Sequence, residues 1–242
     1  MFSSLSDQLL GSLSDISANP IALTIFGFIA IIIVLLLLSM VFPFWRRLLI
    51  SFNILEEDER PVSLLLWFVV VIIIVRLVQT FLVQPFIVDG GSMLPTFHNK
   101  EFLLVDKLTY RLHTPHRGDV AIFKLYEGNT NPYTGKYLIK RVIGLPGERI
   151  VINSGVTTIY NQENPQGFRV DESFVESKDL TKNVDVTLDD HHFFMMGDNR
   201  AQSYDSRDWG PLDASNIKGQ VLLRVYPLSA LSYEPGRFIY TK

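Results

Sequence analysis

Two long apolar runs near the N-terminus restrict this chain more than any other feature. Ile21 to Phe42 contains no charge, and Val62 to Val83 is interrupted only by Arg76, Gln79 and the small polar residues Ser63 and Thr80. At 1.5 Å of rise per residue each run makes a helix of about 33 Å, enough to cross a hydrocarbon core of about 30 Å. The first run is too long for a cleavable secretory signal and has no positive region before it. It ends in Phe42-Pro43-Phe44-Trp45 rather than in small residues. Both runs are therefore read as transmembrane helices. Arg76 falls in the last third of the second, where its long side chain snorkels to the interface.

The Lys and Arg residues near the helix ends orient the pair. The connection, residues 43–61, carries Arg46, Arg47 and Arg60, whereas residues 1–20 and 84–99 carry none. The positive-inside rule puts the connection in the cytoplasm and both flanking segments outside, and the acidic run Glu56-Glu57-Asp58-Glu59 weighs little against it. The expected organisation is an outer tail (1–20), a first helix (21–42), a cytoplasmic connection (43–61), a second helix (62–83) and an extracytoplasmic domain (84–242). The chain has no cysteine, which excludes disulfides, thiolate metal sites and cysteine nucleophiles. A net charge of −3 without a basic block gives nucleic acid nothing to bind.

The outer domain reads as all-β. Short Val-, Ile- and aromatic-rich runs, bounded by Gly, Pro, Asn or Asp, fall at 101–106, 119–125, 137–143, 149–153, 156–160, 192–196 and 220–226. A single helical turn is expected at Asp213 to Ile217. Residues from about 153 to 192 form a smaller, less regular β insertion. Its polar stretch, Asn161 to Asp190, is expected to lie away from the core. The fold class is thus two N-terminal transmembrane helices followed by an all-β catalytic domain with that insertion.

Three stretches carry chemistry. Asp89-Gly90-Gly91-Ser92-Met93-Leu94-Pro95-Thr96 presents one hydroxyl on a tight turn, since glycine allows the backbone conformations that such turns need. Lys140 sits on a strand with Leu138 and Val142 on its own face, while Arg141 points the other way. Desolvation there lowers an amine's pKa from about 10.4 towards neutrality, making it a general base; the ordinary alternative is an edge-strand lysine that snorkels. The third stretch, Met196 to Pro211, packs polar groups directly behind Phe193-Phe194-Met195, so they must satisfy one another, as Asp205 can with Arg207. It lacks the alternating oxygen ligands that calcium needs.

The combination resembles the bacterial type I signal peptidase family, membrane-anchored serine proteases with a Ser–Lys dyad. Four stretches match in order: Gly91 to Thr96, Arg117 to Phe123, Lys140 to Glu148, and Met196 to Arg200 extending through Ser203, Asp205-Ser206-Arg207 and Trp209-Gly210. The resemblance implies Ser92 as nucleophile, Lys140 as base and Ser203 as the hydroxyl that orients the lysine. It implies structural support from Asp198, Asp205 and Arg207, and shallow pockets for small side chains lined by Phe86, Val88, Met93, Leu138 and Ile139. The implied substrates are signal peptides of exported preproteins, cut after an Ala-x-Ala pattern at the outer surface of the bacterial cytoplasmic membrane. The lipid bilayer is the other partner. No cofactor or metal is called for, and the chain is expected to act as a monomer.

One departure stands out. The common form of the first motif is Pro-Ser-Gly-Ser-Met, and Gly90 cannot supply the hydroxyl that the first serine gives the oxyanion hole. The backbone N–H groups of Ser92 and Gly90 are expected to serve instead. Asp89, in place of proline, is expected to point away from Lys140. Rival readings fare worse. None of the five histidines sits in a hydrolase motif, and the adjacent His191 and His192 face opposite sides of a strand. Self-cleaving repressors share the dyad but are soluble. A membrane-anchored peptide-binding module without catalysis is the alternative from another class.

Overall fold

The computed structural model describes residues 20–52, 54–55, 60–126 and 133–240, with side chains from residue 31 onward. The expected outer tail before Pro20 and the acidic run 56–59 lie outside the described residues. The chain divides into two units, Met1–Phe81 and Leu82–Lys242.

The first unit is helical: α1 (Pro20–Val41), α2 (Pro43–Ser51) and α3 (Pro61–Phe81). Proline opens each, a position where its missing N–H has no partner to lose. Helix α2 lies within the expected connection and was not foreseen. Leu36, Leu49 and Leu55 form a small buried cluster with Ile50, Leu64, Leu65 and Phe68 packed on it. Helix α3 buries no residue. Among the described residues α3 is the helix long and apolar enough to cross a membrane, and 31–41 of α1 form a shorter apolar stretch. Helix α3 stops at Phe81 rather than Val83.

The second unit holds two sheets. The larger has eight strands in the order β1-β2-β11-β3-β4-β9-β10, with β12 on β11. These are β1 (Val83–Ile87), β2 (Phe102–Asp106), β3 (Val120–Lys124), β4 (Tyr137–Gly144), β9 (His192–Met196), β10 (Leu212–Asp213), β11 (Ile217–Tyr226) and β12 (Ser232–Tyr233). The smaller has the order β7-β6-β5-β8, built from β5 (Arg149–Asn153), β6 (Val156–Tyr160), β7 (Phe168–Arg169) and β8 (Val184–Thr187). All recorded pairings are antiparallel. Two single-turn helices, α4 (Thr109–Leu112) and α5 (Ser206–Trp209), join them. The turn expected at 213–217 is a 3-10 helix, Ala214–Asn216.

Two features position the site. Strand β4 pairs with β3 over Tyr137 to Arg141 but with β9 only from Arg141 onward, so Tyr137 to Lys140 has one open edge. The large sheet also curls. Phe86 on edge strand β1 meets Tyr137 on β4 edge-on, with ring centroids 5.2 Å apart, although three strands separate β1 from β4 in sheet order. The concave side is filled by Val88, Met93, Phe97, Leu103, Val105, Val120, Ile122 and Val221.

The expected insertion does form its own sheet, but not away from the rest. Val170 and Leu188 of the stretch 161–190 are buried in one cluster with Ile143, Phe194 and Met196 of the large sheet, and Phe174, Val184 and Val186 pack against it. A polar composition hid this, because the apolar residues of the segment are spread among polar ones and make no continuous run.

Candidate active site

Strand β4 delivers Lys140, and the turn after β1 delivers Ser92. Met93 and Phe97, both essentially unexposed, anchor that turn in the concave core. Leu94 N–H closes the turn on the Gly91 carbonyl at 3.2 Å, and Phe97 N–H bonds the Met93 carbonyl at 2.9 Å. Ser92 itself is half-buried. Lys140 Nζ donates to Ser92 Oγ at 2.7 Å and to its neighbour's carbonyl, Ile139 O, at 3.0 Å.

Lys140 is 3% exposed. Burial pushes its pKa from 10.5 down to about 8, against the pull of the Asp205 and Asp198 carboxylates and with help from Arg207. A carbonyl accepts only, so Ile139 O holds one N–H of the neutral amine and leaves the lone pair free for the Ser92 hydroxyl proton. As expected, Arg141 lies on the opposite face, and Asp89 is exposed and absent from the charges acting on Lys140.

Behind the dyad, the loop after β9 is held by buried charges. Asp198 takes Arg141 Nε at 2.8 Å and Nη2 at 2.6 Å, and also accepts from Thr96 Oγ1 at 2.5 Å. Arg141 lies 4.1 Å over the Phe174 ring and donates to the carbonyls of Gly118 and Gly236. Asp205 binds Arg207 Nε and Nη2, each at 2.8 Å, receives Gly197 N–H at 3.0 Å and caps α5. Burial pushes the Asp205 carboxyl up, but Arg207, Gly197 N–H and the nearby Ser203 together hold it below its ordinary value.

Gly197 is where these parts meet. A Cβ there would stand 2.2 Å from Ser203 Oγ and 2.5 Å from the Ser92 carbonyl oxygen. Only a hydrogen fits.

Three expectations come out differently. Ser203 is buried beside the Asp205 carboxylate, and among the described residues no hydrogen bond joins its hydroxyl to Lys140; the second bond that holds the amine comes from Ile139 O. Gly90 N–H is taken by Asn99 Oδ1 at 3.1 Å, so of the two backbone donors expected for an oxyanion, Ser92 N–H alone lacks an intramolecular partner among the described residues. Gly90 has φ +96°, a conformation that a side chain strains, which accounts for glycine where the common motif has serine. The five pocket residues also divide. Phe86, Val88, Met93 and Ile139 gather on the concave side, whereas Leu138 packs with Phe123 on the face of β4 that carries Lys140.

Sequence reasoning passed over several site residues. Asn99 and Asn199 hold the serine turn from either side. From the insertion, Glu172 pairs with Arg200, and Asp179 meets Arg207 at 3.4 Å. The only cue was that Arg200 and Arg207 stand in a buried loop and need partners.

Comparison with known proteins follows the same lines. Residues 62–226 match a family model described as "Signal peptidase, peptidase S26". The probable signal peptidase I-1 of a Synechocystis species is 33% identical over 178 residues, 70% of this chain and 88% of that protein. The signal peptidase I of Leptolyngbya laminosa is 33% identical over 156 residues, 64% of this chain and 74% of its own length. That of Bacillus caldolyticus is 30% identical over 182 residues, 69% of this chain and 92% of its own length.

Proposed function

Because this chain belongs to the signal peptidase family of peptidases S26, we infer that it is a type I signal peptidase, a serine endopeptidase that removes signal peptides from exported preproteins. The observation that carries the chemistry is the 2.7 Å contact between the Ser92 hydroxyl and an amine that burial brings to a pKa of about 8. Neutral Lys140 takes the Ser92 proton as Oγ attacks the scissile carbonyl. The oxyanion develops against Ser92 N–H. Collapse expels the new N-terminus, which takes its proton from the Lys140 ammonium and leaves an acyl-enzyme at Ser92. Lys140 then activates the water that hydrolyses the ester. Asp198, Asp205 and Arg207 hold the loop behind the dyad and take no chemical step.

The substrate is an extended segment with small side chains at the first and third positions before the cut. It adds as a strand against the outer edge of β1 and the open edge of β4 at Tyr137 to Lys140. Phe86, Val88, Met93 and Ile139 form the apolar floor that leaves room only for small side chains. Helices α1 and α3 anchor the chain in the cytoplasmic membrane, with α2 and the Arg-bearing connection inside and the β domain outside. Leu66, Trp67, Val70, Ile73, Ile74 and Leu77 stand exposed along α3, an apolar surface suited to lipid rather than water. The cut is proposed to fall at the outer bilayer surface, where a substrate's own apolar helix ends.

The test is to incubate the detergent-solubilised chain with a preprotein whose signal ends in Ala-x-Ala and sequence the new N-terminus. Cleavage after the pattern, abolished by Ser92→Ala and by Lys140→Ala, is the expected result. A wild-type chain that binds the preprotein without cutting it would instead make this a membrane-anchored peptide-binding module.

A further inference from the structure

Asn199 touches the serine turn twice. Its backbone N–H donates to the Ser92 carbonyl at 3.0 Å, and its side-chain Nδ2 donates to the Gly91 carbonyl at 3.1 Å. The two peptide groups flanking the nucleophile are therefore both held by one residue. The amide orientation follows from chemistry, because Gly91 O can only accept and must face Nδ2. The second amide hydrogen is directed at Gln202 Oε1, 3.4 Å away, and Gln202 N–H returns to the Asn199 carbonyl at 3.1 Å. Asn199 is 9% exposed, so it makes these contacts largely out of water's reach.

The consequence is set by peptide geometry. In a planar trans peptide the N–H points opposite to the C=O. Leu94 N–H and Asn199 Nδ2 together hold the Gly91 carbonyl on the protein side. The N–H of the same peptide unit belongs to Ser92, and it must then point away from the protein, where it has no partner. Fixing the Ser92 carbonyl as well fixes the backbone on both sides of its Cα, and with it the starting direction of Oγ.

We propose that Asn199 is the positioning residue of the oxyanion hole: its side-chain amide fixes the Gly91–Ser92 peptide so that Ser92 N–H faces the scissile carbonyl. This rests on the reading of Ser92 as nucleophile. It matters more here than in a site with two donors, because Gly90 carries no hydroxyl and its N–H is bound to Asn99. With the amide gone, the Leu94 bond alone orients the peptide, and the remaining donor spends part of its time misdirected.

The experiment compares full-length, detergent-solubilised wild type with Asn199→Ala, Asn199→Asp and Ser92→Ala. Asn199→Asp keeps the shape and the backbone N–H but cannot donate, and it guards against a folding failure of the alanine variant. Both Asn199 variants should lose about 10- to 100-fold in kcat, somewhat less than the full loss of an oxyanion donor, with KM changed less than about threefold. A substrate-like peptide aldehyde supplies the readout that a merely structural residue would not move. As it binds, Ser92 Oγ bonds to the aldehyde carbon, the carbonyl π pair becomes the oxyanion, and the Ser92 proton passes to Lys140. Its inhibition constant should rise by the same factor as kcat falls, while the affinity of the non-covalent cleavage-product peptide stays within about threefold of wild type. The pH midpoint of kcat/KM should stay in place for Asn199→Ala. Wild-type kcat in Asn199→Ala would overturn the proposal, as would a loss seen only in Asn199→Asp, which reports an added charge. A parallel fall in product-peptide affinity and melting temperature would also overturn it. If wild type cuts no better than Ser92→Ala, the functional reading fails first and takes this inference with it.

Discussion

The state of Lys140 sets a pH dependence whose sign and size follow from its surroundings. Burial lowers its pKa from 10.5 to about 8. In the proposed mechanism only the neutral amine accepts the Ser92 proton, so kcat/KM should rise about tenfold for each pH unit well below 8 and level off above about 9. The neutral fraction is about one in eleven at pH 7 and about ten in eleven at pH 9, a gain of roughly tenfold. The same displacement acts on stability. Between pH 8 and 10.5 the unfolded chain binds more protons than the folded one, so stability rises with pH through that window, falls as pH drops from 10.5 to 8, and is level below. Below 8 the burial of an ammonium costs the folded state about 3 kcal/mol, at about 1.4 kcal/mol per pKa unit. Lys140→Met, which removes the charge but keeps the bulk, should therefore abolish cleavage and still raise the melting temperature at pH 7. Allowing about 1 kcal/mol for each of the lost hydrogen bonds to Ser92 and to Ile139 O, the rise is about 2–4 °C for a domain of this size. Preprotein cleavage from pH 6 to 10 and thermal unfolding at pH 7 measure both. A flat profile, a midpoint near 10, or a less stable methionine variant would refute the account.

Three further outcomes follow. Gly197→Ala should cut kcat on the order of 10²-fold, because a methyl 2.5 Å from the Ser92 carbonyl must displace backbone rather than a flexible side chain; single-turnover cleavage reads this directly. Glu172→Ala leaves buried Arg200 without its carboxylate and should destabilise the β domain by about 3–5 kcal/mol, seen as a melting temperature about 10 °C lower. Asp89→Pro should change kcat/KM by less than about tenfold, since the Asp89 carboxylate is exposed and does not act on Lys140; a larger gain would mean that it faces the dyad.

What the sequence made legible was local. Alternation within Tyr137 to Ile143 correctly put Lys140 and Arg141 on opposite faces, and the strand runs recur in the structure within a few residues at each end. Strand β1 escaped because its first residue, Val83, continues the apolar run of α3, and only Pro85 hints that the helix has ended. Helix α2 escaped because nine residues are too few to show a period against an apolar background. The polar partners were beyond reach for a different reason. Asn99 and Asn199 bond backbone groups 9 and 108 residues away, and such contacts leave no local pattern. Ser203 shows the converse: its position matched a motif, yet the hydrogen bond expected of it is made by a main-chain carbonyl, which no side-chain pattern can announce.

As the base proposed here, Lys140 imposes a rule on everything packed around it. Burial lowers its pKa, but each carboxylate that the loop uses for structure pulls the proton back. Both carboxylates that act on Lys140, Asp205 and Asp198, are bound bidentately by arginines, Arg207 and Arg141. Those pairs are dry enough that they add little net stability over apolar packing. Their effect on the base is clearer, because a neutralised carboxylate raises a neighbouring amine's pKa far less than a free one. Arg207 goes further and lowers the Lys140 pKa itself. The insertion then becomes part of the same arrangement. Glu172 takes up the charge of Arg200, and Asp179 adds a second carboxylate to Arg207, which lets both arginines stay buried in the loop behind the proposed base.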